Sequence, residues 1–285
     1  MHFFSKLFLG LRLISGIPFV YRNWPIVFLD YLFLIKSKIV CYALRSGPAF
    51  YARPRTYDIY IANEVFILHE YERKQYDITI RPNDTILDVG AFIGDFTIYA
   101  AHKAPQGFVY AVEPDSENSS LLQKNIAINA YTNVFLHPCG IGGSDEIRVL
   151  HRHSASYGAS SLFSPLQHYR RKLKILPSSE QKNIDIQLYT VETFLQDNRI
   201  KQVDYVKLDC EGMEYEILLS IPDTILRSIR CFVVEFHALF DISKLREKKE
   251  KILEKFRMNN FTIYQESKDS AQSLVMLYCR NRDKA

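Results

Sequence analysis

Three things are scarce in this chain, and each scarcity argues against a class of function. Net charge is the first: 36 lysines and arginines against 32 acidic residues leave +4 over 285 residues. The basic residues are dispersed, so no nucleic-acid footprint is expected. Paired cysteines are the second. Cys41, Cys139, Cys210, Cys231 and Cys279 are odd in number and show no C-x-x-C spacing, which argues against a disulfide or zinc framework and fits a reducing compartment. Long charge-free runs are the third. The first fifty residues are rich in aromatic and aliphatic side chains, yet Lys6, Arg12, Arg22, Asp30, Lys36 and Lys38 interrupt them. No stretch reaches the roughly 18–20 apolar residues of a spanning helix. Arg12 also splits any secretory apolar region, and no small-residue cleavage site closes it.

What is present is a hydrophobic fraction of 47%, enough for a sizeable core, arranged as strands alternating with helices. Residues 1–75 read as a helical or mixed arm packed on the core, with residues 1–40 a candidate for peripheral membrane contact. Residues 76–285 read as an α/β domain. The segment ILDVGAFIGDF, Ile86 to Phe96, predicts strand, tight turn and helix. A helix over Asp95 to Lys103, the strand FVYAVEP, a helix from Ser116 to about Ala130 and the strand and loop NVFLHPCGIGG complete three β-α units. An added strand at Glu146 to Leu150 precedes residues 154–179, a polar insertion where Arg170, Arg171, Lys172 and Lys174 accompany Tyr157, Phe163 and Tyr169. That insertion is a candidate lid. Alternation resumes with NIDIQLYTVETFLQDN, then strand VDYVKLD, a helix over Gly212 to Ile221, strand CFVVEFH, a charged helix over Lys244 to Met258 and two closing strands. Such a chain implies a mostly parallel sheet, with an antiparallel strand from the final hairpin at or near its edge.

Two cofactor classes use a turn of the Ile86–Phe96 kind. A dinucleotide fold wants G-x-G-x-x-G, whereas here Asp88 precedes G-x-x-x-G. That spacing suits S-adenosylmethionine, which lacks phosphates and presents an ammonium and a carboxylate. Asp88, Gly90, Ala91, Phe92 and Gly94 are therefore cofactor candidates. Glu113 closes the second strand, where a carboxylate accepts ribose hydroxyls. The same position serves NAD, so a nicotinamide-dependent oxidoreductase stays open. Pro114 follows it, and Cys139 with Gly140 borders the adenine through backbone groups.

The second cluster is VKLDCEGMEYEIL. Lys207, Asp209 and Glu211 alternate along an extended segment at a strand's carboxyl end and so point to one side. Either Lys207 pairs with the carboxylates, or these hold a divalent cation such as magnesium or a polar substrate. Glu211 is also a candidate cap for the following helix. VVEFH adds Glu235 and His237 at the next strand end, the histidine being a candidate general base or a structural hydrogen-bonder.

With these motifs placed, the chain resembles the FkbM-type S-adenosylmethionine-dependent methyltransferases. The resemblance spans roughly Arg45 to Arg280 and rests on DVGAFIGDFT, VEPD, YGASSL, VDYVKLDCEGMEYEIL, VVEFH and MLYCR in that order. It implies a Rossmann-like seven-stranded methyltransferase sheet and methyl transfer to an oxygen, often a hydroxyl of a sugar, glycan or polyketide-like product. It also implies Gly90 and Gly94 in the cofactor loop, Glu113 on the ribose, and Lys207, Asp209 and Glu211 in the second signature. Glu64 and Tyr71 in NEVFILHEY, and Tyr157, Ser160 and Ser161 in the insertion, become acceptor-site candidates. Phe92 departs from the asparagine common in this loop, and Cys139-Gly140 from the usual small residues after strand three. The expected chemistry is in-line displacement, with His237 or Asp209 as base and Lys207 stabilising the developing oxyanion, or with Asp209, Glu211 and Glu235 holding a metal. The expected location is cytoplasmic, with or without peripheral membrane association. A non-catalytic methyltransferase-like module in a membrane-associated glycan-assembly complex is the remaining alternative.

Overall fold

The computed structural model describes residues 12–153, 181–237, 242–268 and 274–284. The candidate lid 154–179, with Tyr157, Ser160 and Ser161, lies outside the described residues, as do residues 1–11 of the arm. A helical stretch over residues 12–20 leads to α1 (Trp24–Tyr31), the antiparallel hairpin β1 (Val40–Ala43) and β2 (Ala49–Ala52), and α2 (Asp58–Phe66). Then come β3 (Thr85–Val89), α3 (Asp95–Lys103), β4 (Phe108–Val112), α4 (Ser116–Ile128) and β5 (Val134–His137). Strands β6 (Gly140–Ile141), β7 (Glu146–His153) and β8 (Gln181–Tyr189) precede α5 (Val191–Asp197), β9 (Tyr205–Leu208), α6 (Glu214–Ser220), α7 (Asp223–Ser228) and β10 (Cys231–His237). Helix α8 (Ile242–Met258) and strands β11 (Phe261–Ser267) and β12 (Leu274–Asn281) close the chain.

Seven strands form the central sheet in the order β11-β12-β10-β9-β3-β4-β5. The five from β10 to β5 are parallel, and β12 runs antiparallel to both of its neighbours, one place in from the edge. This is the Rossmann-like sheet the sequence implies. The chain steps outward through β3, β4 and β5, then returns to the other side of β3 to lay down β9. That reversal opens a crevice at the carboxyl ends of β3 and β9, where open α/β sheets bind ligands.

Three observations differ from the sequence expectations. Strands β6, β8 and β7 form a separate three-stranded sheet, whereas the sequence reading had put the NIDIQLY segment of β8 in the main alternation. On β7 it is apolar Ile147 and Val149 that face outward, 70% and 44% exposed, the reverse of the apolar-inward alternation that marks a half-buried strand. The arm contains the β1–β2 hairpin beside its helices. Helix α6 begins at Glu214, not Gly212, because Glu211 and Gly212 sit in the left-handed region with φ of 55° and 109°.

Residues alternate between the two faces of the sheet, and each face has its own core. Ile86, Tyr205, Val233 and Tyr278 pack with Ile17, Tyr21, Val27, Phe50, Ile59 and Phe96. Leu87, Val206, Phe232 and Leu277 pack with Phe194, Ile252 and Phe256 on the opposite face. The described arm therefore shares a core with the sheet domain. Buried polar pairs add to this: Tyr21 donates to Asn63 at 2.6 Å, Tyr42 donates to Asp30 at 2.6 Å, and Arg53 pairs with Asp58 at 2.8 Å. Each buried apolar side chain stabilises the arm by roughly 1.5–3 kcal/mol, so the polar pairs fix geometry more than they supply energy. Among the described residues no helix is long and apolar enough to cross a membrane.

Candidate active site

The site begins where β3 ends. Gly90 and Ala91 both donate their backbone N–H to Val112 O at 3.0 Å, folding the chain tightly over β4. Gly90 has φ +77°, and a Cβ there would lie 1.8 Å from the backbone oxygen of Asp209, so only glycine fits. Phe92 adopts φ 52°, a left-handed conformation costing an L residue roughly 1–2 kcal/mol. Its N–H donates to Glu113 Oε2 at 2.9 Å, while Glu113 Oε1 accepts from the Asp115 N–H at 2.9 Å. Glu113 is buried, and burial pushes its carboxyl up to about 7 against the pull of those backbone donors. One carboxylate thus ties the glycine turn to the end of β4. Asp115, beyond Pro114, caps α4 by accepting from the N–H groups of Glu117 and Asn118.

Beneath the turn lies Lys207. Asp88 and Lys207 are direct cross-strand partners on β3 and β9, and both continue the rows of Ile86 and Tyr205 toward the arm. Lys207 Nζ donates to Gly90 O at 2.7 Å and lies 3.2 Å from Asp88 Oδ1 and 3.8 Å from Asp209 Oδ2. Thr97 donates to Asp88 Oδ2 at 2.6 Å. Burial alone would lower the ammonium's pKa, but Asp88, Asp209 and Asp95 outweigh it and hold the group charged. Asp95, buried at the start of α3, is pushed up to about 7 by burial, with Lys207 opposing. At 3% exposure, Lys207 is a buried strut of the turn, and its position beside Asp209 agrees with the carboxylate pairing that the sequence had left open as one alternative.

Beyond Lys207 the crevice gathers acidic side chains. Asp209 Oδ2 accepts from the Tyr71 hydroxyl at 2.8 Å, and Lys207 stands 5.3 Å from the centre of the Tyr71 ring. Burial would raise the Asp209 carboxyl, but Lys207, His237 and Lys268 hold it below its ordinary value. His237, at the end of β10, has Nδ1 3.3 Å from Glu214 Oε1. Its Nε2 lies 3.7 Å from Glu211, 3.8 Å from Glu235 and 3.9 Å from Asp209. Burial would lower the imidazole's pKa, but Glu211, Glu214 and Glu235 outweigh it and raise it well above its ordinary value, favouring the charged form. Burial pushes Glu211 up to about 8, with His237 opposing. On the far wall, Lys268 Nζ lies 2.8 Å from Glu70, 3.1 Å from Glu235 and 3.6 Å from Glu64.

The structure therefore brings together Glu64, Tyr71, Asp209, Glu211, Glu235 and His237 from the sequence list. Glu211 arrives through a left-handed turn, since β9 ends at Leu208. The expected cap is a different residue: Glu214, fully buried, accepts from the N–H of Cys210 at 2.9 Å and of Gly212 at 3.0 Å. Gly140 lies in β6, where a Cβ would meet Leu188 at 2.4 Å, so its small size serves strand packing; Cys139 precedes it, half-buried. Sequence reasoning missed Lys268, Glu70 and the role of Glu214. Only Glu214 carried a signal, as the last acid of K-x-D-x-E-G-x-E. Among the described residues, Asp209, Glu235 and His237 can each bring one ligand atom to within 4.8 Å of the others. His237 thus stands where the sequence expectation had put Glu211.

Residues 88–263 match the Methyltransferase FkbM domain. The chain is 29% identical over 174 residues to Methyltransferase 1 of Beauveria bassiana, covering 58% of this chain and 67% of that one. It is 27% identical over 230 residues to Methyltransferase sdnD of Sordaria araneosa, covering 72% and 84% respectively. A part of the AMB antimetabolite synthetase AmbE of Pseudomonas aeruginosa is 28% identical over 209 residues, 62% of this chain but 9% of that protein.

Proposed function

The chain belongs to the FkbM methyltransferase family, and we propose that it transfers a methyl group from S-adenosylmethionine to a hydroxyl of a sugar, glycan or related natural-product acceptor. Family membership removes the support for a nicotinamide oxidoreductase. The observation that carries the reading is the join between two sites: the Gly90 turn touches the Asp209 backbone, and Lys207 donates to Gly90 O while its charge faces Asp209 at 3.8 Å. The residues fit the cofactor. Gly90 lets the turn close onto the Asp209 backbone, and Glu113 stands beside it with a carboxyl that titrates near 7 and can accept from ribose hydroxyls.

When bound, S-adenosylmethionine would supply an electrophilic methyl carbon on its sulfonium, with the neutral thioether as leaving group. This chain's part is to hold the acceptor oxygen in line and take its proton. Asp209 is the carboxylate held ionised beside the turn, and it is 22% exposed by side chain. It accepts the hydroxyl hydrogen bond and then the proton. Tyr71 fixes its orientation. His237, protonated in the resting cluster, acts as a hydrogen-bond donor and charge balance, not as the base. The surrounding carboxylates favour a neutral, hydroxyl-rich acceptor over an anionic one.

A second reading has one observation in its favour. His237 Nε2 faces Asp209, Glu211 and Glu235 at 3.7–3.9 Å, beyond hydrogen-bond range, while Glu214 holds Nδ1. That is the arrangement of a histidine ligand with its supporting carboxylate. A divalent cation on Asp209, Glu235 and His237 would lower the acceptor hydroxyl's pKa, and magnesium or manganese would then raise the melting temperature of the wild type but not of His237→Ala.

The test of the main reading is Asp209→Asn. Turnover, followed as S-adenosylhomocysteine release over a panel of polyol acceptors, falls by about 10²–10⁴-fold while cofactor affinity stays near that of the wild type. Unchanged turnover removes Asp209 from the mechanism.

A further inference from the structure

The outer surface of the arm is unlike the rest of the protein. Of the 15 exposed large hydrophobic residues among those described, eight lie between Ile14 and Ile39, a concentration that isolated surface apolar residues do not produce. Phe19 is 80% exposed, Leu32 64% and Leu34 60%. Phe33 stands between those leucines with φ 59°, just past the end of α1. Glycine or asparagine usually takes that left-handed position; here a phenylalanine takes it and points into solvent.

Charge on this surface has one sign. Arg12, Arg22, Lys36 and Lys38 are exposed. Asp30 is the lone acid from residue 12 to 39, and it is buried, accepting from Tyr42 and the Arg55 N–H. A groove of about 530 Å³ lined by Ile39, Tyr51, Ala127, Ile128 and Lys124 carries the same mixture onto α4.

We propose that residues 12–39 dock in the plane of an anionic lipid bilayer, with Phe19, Trp24 and Leu32 to Leu34 entering the headgroup layer and the four basic residues meeting lipid phosphates. Apolar side chains interleaved with basic ones, on helices too short to span, suit that interface. The charges argue for lipid over a second copy of the chain, because a symmetric contact would bring like charges to one face. The inner side of this layer is fastened to the cleft wall: Tyr21 donates to Asn63 on α2, next to Glu64.

Trp24 is the single tryptophan of the chain and is 40% exposed, so its emission reports docking directly. Full-length protein is titrated with phosphatidylcholine vesicles and with phosphatidylcholine–phosphatidylserine vesicles. The expected result is a blue shift and intensity gain with the anionic vesicles alone, reversed by salt. Phe19→Ser with Leu32→Ser and Leu34→Ser, and separately Arg22→Glu with Lys36→Glu and Lys38→Glu, each weaken binding at least about tenfold. Both triple variants keep wild-type cofactor affinity, which certifies their fold. No shift with anionic vesicles, or an equal shift with neutral ones, overturns the proposal. So does sedimentation showing a dimer that the Phe19, Leu32 and Leu34 variant dissolves, which would give the face to a second copy.

Discussion

Replacing Gly90 by alanine asks whether the cofactor turn and the acceptor carboxylate are one mechanical unit. The backbone term comes first: φ of +77° costs an L side chain roughly 1–2 kcal/mol. The new Cβ would also sit 1.8 Å from Asp209 O and 2.8 Å from its carbonyl carbon. Those are backbone atoms, so they yield only if the start of the β9–α6 turn moves, which adds about 1–3 kcal/mol of overpacking. The sum is about 2–5 kcal/mol, or a fall in melting temperature on the order of 10 °C. Gly94→Ala is the control. It carries a similar φ of +90°, but its Cβ meets Leu122 Cδ1, the far end of a side chain that can rotate away. That variant loses only the backbone term, about 1–2 kcal/mol. Differential scanning fluorimetry gives the stability order, and single-turnover methyl transfer shows whether Gly90→Ala also slows chemistry by displacing Asp209. Equal melting temperatures for the two variants, or full turnover in Gly90→Ala, would refute the coupling.

Two further outcomes follow from the buried charges. Lys207→Met leaves Asp88 uncompensated at 0% exposure, so urea denaturation should show a loss of about 3–5 kcal/mol; a loss under about 1 kcal/mol would mean that the pair is not holding the turn. Stability should also fall as the solution becomes alkaline. Asp95 and Glu113 titrate near 7 and Glu211 near 8, all above their unfolded values, and His237 is raised as well. Groups that bind protons more tightly when folded stabilise below their unfolded pKa and lose that contribution as pH rises through the folded one. Asp209, shifted the other way, acts only in the acid range. The melting temperature therefore declines from about pH 6 to about pH 9, and a rise across that interval contradicts the assignment.

The cofactor side of the crevice was legible because it is local. Asp88, Gly90, Gly94 and Glu113 lie at strand ends or in the turn that follows, so the strand–turn–helix pattern locates them without knowledge of the rest. Asp209, Glu235 and His237 were legible for the same reason. Lys268 was not: it sits past β11, and its partners Glu64, Glu70 and Glu235 come from distant parts of the chain. No periodicity marks such a meeting, which exists only once β12 has paired with β10. The contact of Lys207 with the turn escaped the sequence for a related reason. Strand alternation gives the direction of its side chain correctly, but not that Gly90 O would stand 2.7 Å from Nζ and hold it there. Glu214 shows the converse case, a helix residue whose carboxylate folds back onto the turn before it and accepts from the Cys210 and Gly212 N–H groups, which the left-handed Glu211 and Gly212 leave outside the helix.

What the Gly90 turn and Glu113 hold is the central question of this site. Isothermal titration calorimetry of the full-length protein with S-adenosylmethionine, S-adenosylhomocysteine and NADH decides it. The account predicts one site for each adenosyl ligand, weakened by Glu113→Ala, and no heat with NADH. Binding of NADH, or of none of the three, contradicts it.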